Sequence, residues 1–173
     1  MSAPVLLVVG IHREERAFGQ AVAAGLAGGL VDVLDIDDGL SGRRPRQDQR
    51  FQYDTLHRAL YLQLPPQMGP SRRLLIDLHT GLDPDGPCAD LYCRNLAFLR
   101  LRLAQSAAPN SAPRLISLGG KGDAPGAATV IPREVWDNHH FCYVGMEIYL
   151  RQAGAGSPDE QAYACALVRA LAG

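Results

Sequence analysis

Two histidines and a glutamate are spaced to hold a metal. His12 and Glu15 stand just after an apolar run, Val5 to Val9, and His79 ends a second run that begins at Leu74. Apolar runs of this length read as buried strands. A His-x-x-Glu after one strand and a lone histidine after another can supply three ligands to one zinc. Three protein ligands with one open position is the arrangement of a catalytic zinc, not a structural one. Positions i and i+3 are neighbours on a helical turn, so His12 and Glu15 can face one ion. Asp77 precedes His79 by two and shares its strand face. Its carboxylate can orient the imidazole by accepting the other ring N–H. Acidic residues are also favoured at a helix N-terminus, so Glu14 and Glu15 alone do not require a metal.

Glu147 lies inside a second kind of signal, the apolar run Tyr143 to Leu150. A charged group in a buried strand is costly unless it is paired or has a function. Beside a zinc it can act as general base on the attacking water and pass the proton to a leaving amine. A partly exposed strand with Glu147 paired to an arginine is the competing reading. Tyr149, two residues on, shares the strand face and can line the site or simply pack.

These residues need a framework of strands and helices. The pattern predicts strands over residues 4–11, Val31 to Ile36, Leu74 to Leu78, Cys88 to Arg94, Leu115 to Leu118 and Phe141 to Leu150. It predicts helices over residues 14–28, Tyr53 to Leu64 (broken by Pro65-Pro66), Asn95 to Ser106 and 157–171. Asn95 reads as an N-cap. Ser157 with Glu160 reads as a capping box. Asp37 to Gln52 reads as a polar loop, Gly81 to Pro87 as turns, and Gly119 to Gly126 as a glycine-rich loop without the spacing of a phosphate cradle. Strands alternating with helices argue for a layered α/β domain.

The 173 residues fit one domain, 1–173, with a sizeable core. A net charge of −1 gives no global basic field, so no nucleic-acid partner is expected. The four cysteines form no Cys-x-x-Cys, which argues against a zinc ribbon. The first apolar run is too short for a signal peptide or a membrane span. A cytoplasmic protein with reduced thiols and no membrane contact is the expectation. Arg43, Arg44, Arg46 and Arg50 make one loop basic and suit the rim of an anionic-substrate site. Arg94 and Arg133 are further anion-site candidates, with surface ion pairing as the alternative. His139 and His140 read as surface residues, and His57 has no evident role.

Taken together, these residues resemble the succinylglutamate desuccinylase/aspartoacylase family, a branch of the zinc carboxypeptidase fold. Gly10-Ile11-His12-Arg13-Glu14-Glu15 is similar to the family's Gly-x-His-Gly-Asn-Glu. Asp77-Leu78-His79 is similar to the segment carrying its third ligand, and Val144-Gly145-Met146-Glu147 to the Val-Gly-Ile-Glu with its catalytic glutamate. The order along the chain agrees. The resemblance implies a three-layer α/β/α sandwich around a mixed, mostly parallel sheet. It implies one zinc per chain on His12, Glu15 and His79, with Glu147 catalytic. The implied reaction is hydrolysis of the amide bond of a small anionic N-acyl amino acid.

Departures from the family are specific. Arg13 replaces a glycine. The family's Asp-Leu-Asn-Arg-x-Phe, whose Asn-Arg pair binds substrate carboxylate, has only Asp48-Gln49-Arg50-Phe51 as a shortened counterpart. Gln49 and Arg50 are the expected substrate contacts there, because guanidinium grips carboxylate in bidentate fashion. Members with a C-terminal β domain use it to shape the pocket, and no such domain is expected within these 173 residues. A zinc carboxypeptidase or peptidoglycan-type amidase acting on short peptides is the second expectation. A binding domain that kept the sheet and lost the chemistry is the third.

Overall fold

The computed structural model describes residues 3–26, 28–85, 88–106, 111–120, 126–127 and 129–173. Its centre is a seven-stranded sheet of order β2-β1-β3-β7-β4-β5-β6. The strands are β1 (Val5–Val9), β2 (Asp32–Asp35), β3 (Leu74–Leu82), β4 (Cys88–Cys93), β5 (Arg114–Leu118), β6 (Gly126–Ala127) and β7 (Cys142–Leu150). Every neighbouring pair is parallel except β4 with β7. The sheet therefore divides into two parallel blocks that meet antiparallel at β7 and β4.

Among the described residues, six α-helices cover it: α1 (Arg16–Gly25), α2 (Arg50–Leu62), α3 (Leu64–Met68), α4 (Leu96–Gln105), α5 (Arg133–Trp136) and α6 (Pro158–Ala172). The central strands are apolar on both faces, as a covered parallel sheet requires. Val5, Leu7 and Val9 of β1 pack with Phe18 and Val22 of α1, Leu99 of α4 and Leu167 of α6. Leu6 and Val8 point the other way, toward Tyr61 of α2, Leu64 and Met68 of α3 and Val135 of α5. The result is an α/β/α sandwich, as expected from the sequence.

Local signals set several element ends. The Asn95 side chain accepts from Phe98 N–H at 3.1 Å and caps α4. Ser157 and Glu160 form the expected capping box on α6. Pro65 and Pro66 do not merely end a helix. They open α3, where the first turn has no need of their missing N–H groups. α2 starts at Arg50, earlier than expected, because a 3-10 turn at Gln47–Gln49 leads directly into it. β3 runs on past Leu78 because its ladder with β7 continues to the Leu82–Leu150 pair. His79 is thus inside a strand, not after one. The short α5 and β6 carry no periodic signal. Residue 27 of the first expected helix, residues 86–87 of the turn and 121–125 of the glycine-rich loop lie outside the described residues. Among the described residues, no helix is long and apolar enough to cross a membrane.

Candidate metal centre and active site

The backbone after β1 makes a tight reversal that delivers two side chains. Gly10 has φ +84°, and a Cβ there would lie 2.5 Å from the carbonyl oxygen of Ile36. Only glycine fits such a close approach in that conformation. The following residues pair with the segment after β2: Leu40 N–H donates to Ile11 O and Arg13 N–H to Leu40 O. Glu15 N–H donates to His12 O at 3.0 Å, closing a turn, and Glu15 then stands at the N-cap of α1. The three-residue spacing brings the side chains together in this turn rather than within a helix.

β3 supplies the third group. Its pairing with β1 sets Asp77 beside Val8, so His79, further along, emerges level with the turn. His12 Nδ1 lies 3.1 Å from Glu15 Oε1, and His79 Nδ1 lies 2.9 Å from Glu15 Oε2. Ligand atoms from His12, Glu15 and His79 all fall within 4.8 Å of one another. Two imidazole nitrogens and a carboxylate form a donor set suited to a divalent metal such as zinc. His12 Nε2 is buried without a hydrogen-bond partner among the described residues.

The other nitrogen of His79 is held firmly. His79 Nε2 lies 2.9 Å from Asp77 Oδ2, and Tyr61 and Tyr143 each donate a hydroxyl to that same oxygen. In the metal-free ring Nδ1 faces Glu15 as a hydrogen-bond partner. With a metal bound, the Asp77 contact would keep the proton on Nε2 and free Nδ1 to ligate. Burial opposes the Asp77 charge, but the His79 charge and three hydrogen bonds outweigh it, so the carboxyl is held below its usual range. Burial also opposes the Glu15 charge, and the bonds from His12 and His79 outweigh it in the same way. For His79, burial favours the neutral ring, yet the Asp77 charge and hydrogen bonds raise it well above the ordinary histidine value.

β7 adds Glu147, the register partner of His79. Register partners share a face, so Glu147 opens into the same cavity as His12, Glu15 and His79. The cavity is about 230 Å³, with Leu118, Val130 and Ile131 forming an apolar wall. Tyr92 of β4 donates to Glu147 Oε2 at 3.2 Å. Gly81 leaves room for Tyr149: a Cβ there would lie 2.7 Å from the Tyr149 ring and 3.1 Å from Glu147 Oε1. The Tyr149 hydroxyl donates to Asp90 at 2.9 Å, and burial with the Glu147 charge lifts it to about 12.

The expected cations stand elsewhere. Gln49 and Arg50 are exposed at the start of α2, where Arg50 lies 3.7 Å from Asp54. Neither lines the cavity. Arg94 pairs with Asp137, which also takes Arg133 at 2.8 Å, in a separate depression with Trp136 and Phe141. Arg43, Arg44 and Arg46 are exposed, as are His139 and His140. Among the described residues, no lysine or arginine lines the cavity.

Several cavity residues carried no readable signal. His57 is 5% exposed, with its ring 5.8 Å from that of His12, and Nδ1 has no partner among the described residues. Burial, then the neighbouring His12 and His79, push it down to about 4. The spacing Tyr53, His57, Tyr61 is the one available clue, since i, i+4, i+8 is one face of a helix.

No family model matches the sequence, and no curated protein matches it. Among solved structures the fold is similar to that of murine aminoacylase 3, at 15% identity and a TM-score of 0.53. That match covers 98% of this chain but 63% of the other, so the chain spans under two thirds of that relative's length. A mutant of the same enzyme gives a TM-score of 0.51, also at 15% identity, over 98% of this chain and 62% of that one. These likenesses show a shared α/β architecture.

Proposed function

We propose that the chain is a zinc-dependent hydrolase that cleaves the amide bond of a small N-acyl amino acid, with residues 1–173 acting as one catalytic domain. The observation that carries this is the convergence of His12, Glu15 and His79 donors within 4.8 Å, beside Glu147 in one cavity. The same arrangement was expected from the resemblance to the succinylglutamate desuccinylase/aspartoacylase family.

His12, Glu15 and His79 would hold one zinc, which would supply an acidified water and Lewis-acid polarisation of the scissile carbonyl. Glu147 takes the proton of the attacking water on a carboxylate oxygen and delivers it to the leaving nitrogen. Asp77 keeps the His79 ring in the required tautomer. A cavity of about 230 Å³ suits a small substrate. Its wall of Leu118, Val130 and Ile131 suits an apolar acyl group. Arg50 and Arg94 do not line the cavity, so the reading gives them no contact with the reacting atoms.

The test has two stages. Bound metal is measured by elemental analysis in the wild type and in His79→Ala, both purified without chelator. Near-stoichiometric zinc that falls sharply in the variant supports the centre. The zinc-loaded protein is then offered N-acyl amino acids, short peptides and peptidoglycan fragments, beside Glu147→Gln. Turnover of acyl amino acids that drops about 100-fold or more in Glu147→Gln, with zinc retained, fits the general-base role. Metal absent from both proteins after zinc is added back, or unchanged turnover in Glu147→Gln, overturns the reading.

A further inference from the structure

Four ionisable side chains stand in a single line across the sheet. His79 of β3 is the register partner of Glu147 of β7. Glu147 is the partner of Asp90 of β4, and Asp90 is the partner of Arg114 of β5. Register partners share a face, so the row runs His79, Glu147, Asp90, Arg114 along the cavity side of the sheet.

The middle of this row is electrostatically awkward. Glu147 and Asp90 are like charges directly opposite one another in an antiparallel pair, which is destabilising. Asp90 is 2% exposed, so water does not screen it. Arg114 resolves the conflict. Its Nε and Nη2 donate to the two oxygens of Asp90 at 2.6 and 2.8 Å, a bidentate pair. The guanidinium also lies 6.0 Å from the centre of the Tyr149 ring, whose hydroxyl donates to Asp90 Oδ2 at 2.9 Å.

Tyr92 connects this pair to Glu147. Its hydroxyl lies 3.3 Å from Asp90 Oδ2 and 3.2 Å from Glu147 Oε2. A phenol has one proton to donate, so it can serve only one of the two carboxylates at a time. With Asp90 already satisfied by Arg114 and Tyr149, the Tyr92 proton is available to Glu147.

We propose that Arg114 and Asp90 are positioning residues for Glu147: Arg114 occupies Asp90, and Tyr92 is thereby directed to fix the Glu147 carboxylate over the cavity. This rests on Glu147 being the general base of the proposed hydrolase. Arg114 is suited to a direct test because its side chain is 73% exposed and its removal leaves no hole in the core. It touches neither the metal donors nor the cavity.

The experiment compares zinc-loaded wild type, Arg114→Met, Arg114→Lys and the double variant Arg114→Met/Asp90→Asn, by crystal structure and by steady-state kinetics. In Arg114→Met, Tyr92 turns to Asp90 and Glu147 leaves its place. The expected result is a kcat lower by about tenfold or more, with KM and bound zinc unchanged, since misplacement acts on the chemical step. Arg114→Lys keeps the charge without the fork and falls between. The double variant removes the competing carboxylate and recovers to within about threefold of wild type, a coupling that independent structural damage would not give. A crystal structure of Arg114→Met with the Tyr92–Glu147 contact intact overturns the proposal, as does a double variant no better than the single. If wild type hydrolyses none of the substrates, the hydrolase reading fails. The position of Glu147 in the Arg114→Met crystal then decides the positioning claim alone.

Discussion

Tyr61 and Tyr143 place their hydroxyls on the same oxygen, each 2.7 Å from Oδ2 of the fully buried Asp77. One comes from α2 and the other from β7, so a helix and a strand jointly fix the carboxylate that orients His79. Outer groups of this kind change metal affinity by about 10- to 100-fold when altered. Tyr143→Phe and Asp77→Asn are each expected to weaken zinc binding within that range, as read by competition with a chelator of known affinity. Affinity equal to wild type in both would mean that the buried carboxylate does not steer the ring.

Arg94 gives the opposite kind of test. Its guanidinium is committed to Asp137, away from the cavity. The Asp137 side chain is only 8% exposed and keeps Arg133 as a partner. Arg94→Ala is therefore expected to lower stability by about 1–3 kcal/mol, as for the loss of a partner from a buried charged acceptor, and to leave KM within about twofold. A tenfold rise in KM would restore Arg94 to the substrate contacts suggested by its place after β4.

The candidate residues after β1 and on β3 and β7 were legible as candidates because each follows, ends or interrupts an apolar run, and a polar group there demands a reason. The groups that support them were not. Asp90, Tyr92 and Arg114 become neighbours of Glu147 only through the antiparallel junction of β4 with β7, and strand direction leaves no mark in local periodicity. Nothing in the sequence marks Tyr61 and Tyr143 as partners of Asp77; the fold alone brings their hydroxyls to it. Arg50 failed to reach the cavity because the segment expected as loop through Gln52 instead turns into α2 at Arg50 and exposes it.

Space as well as charge is matched around Glu147. Gly81→Ala would drive a methyl against the Tyr149 ring at 2.7 Å, and ring atoms of a side chain hydrogen-bonded to Asp90 cannot yield cheaply. Overpacking of this kind costs about 1–3 kcal/mol. A denaturant midpoint lowered accordingly, together with loss of the Tyr149–Asp90 bond in a crystal structure, is the expected outcome. An unchanged midpoint would show that Tyr149 moves freely.

Glu160 carries a pH dependence that is separate from the cavity. Its carboxylate accepts from Arg151 N–H at 2.7 Å and from Ser157 N–H at 2.6 Å. Burial opposes its charge, but these backbone bonds outweigh it and lower its pKa. A lowered folded-state value means that the unfolded chain binds the proton more readily. The stabilisation is therefore complete above the unfolded carboxyl value of about 4.3 and is lost as pH falls through the folded one. Hydrogen bonds to a charged group are worth about 1.5–3 kcal/mol. Glu160→Gln should lose part of that at pH 7 and show a flatter decline in acid. Parallel pH–stability curves for the two proteins would remove Glu160 as the cause.

The contact of Glu15 with His79 closes a circuit of 64 residues, spanning β1's turn, β2, α2, α3 and most of β3. Such a closure is rewarded only after the chain between has been gathered in, and long-range pairings of parallel strands are slow to form. Helical content in a refolding chain should consequently appear before the His-Glu-His cluster does. Affinity for metal would then serve as a clock for the last stage of folding, insensitive to every compact form that has yet to lay β3 beside β1.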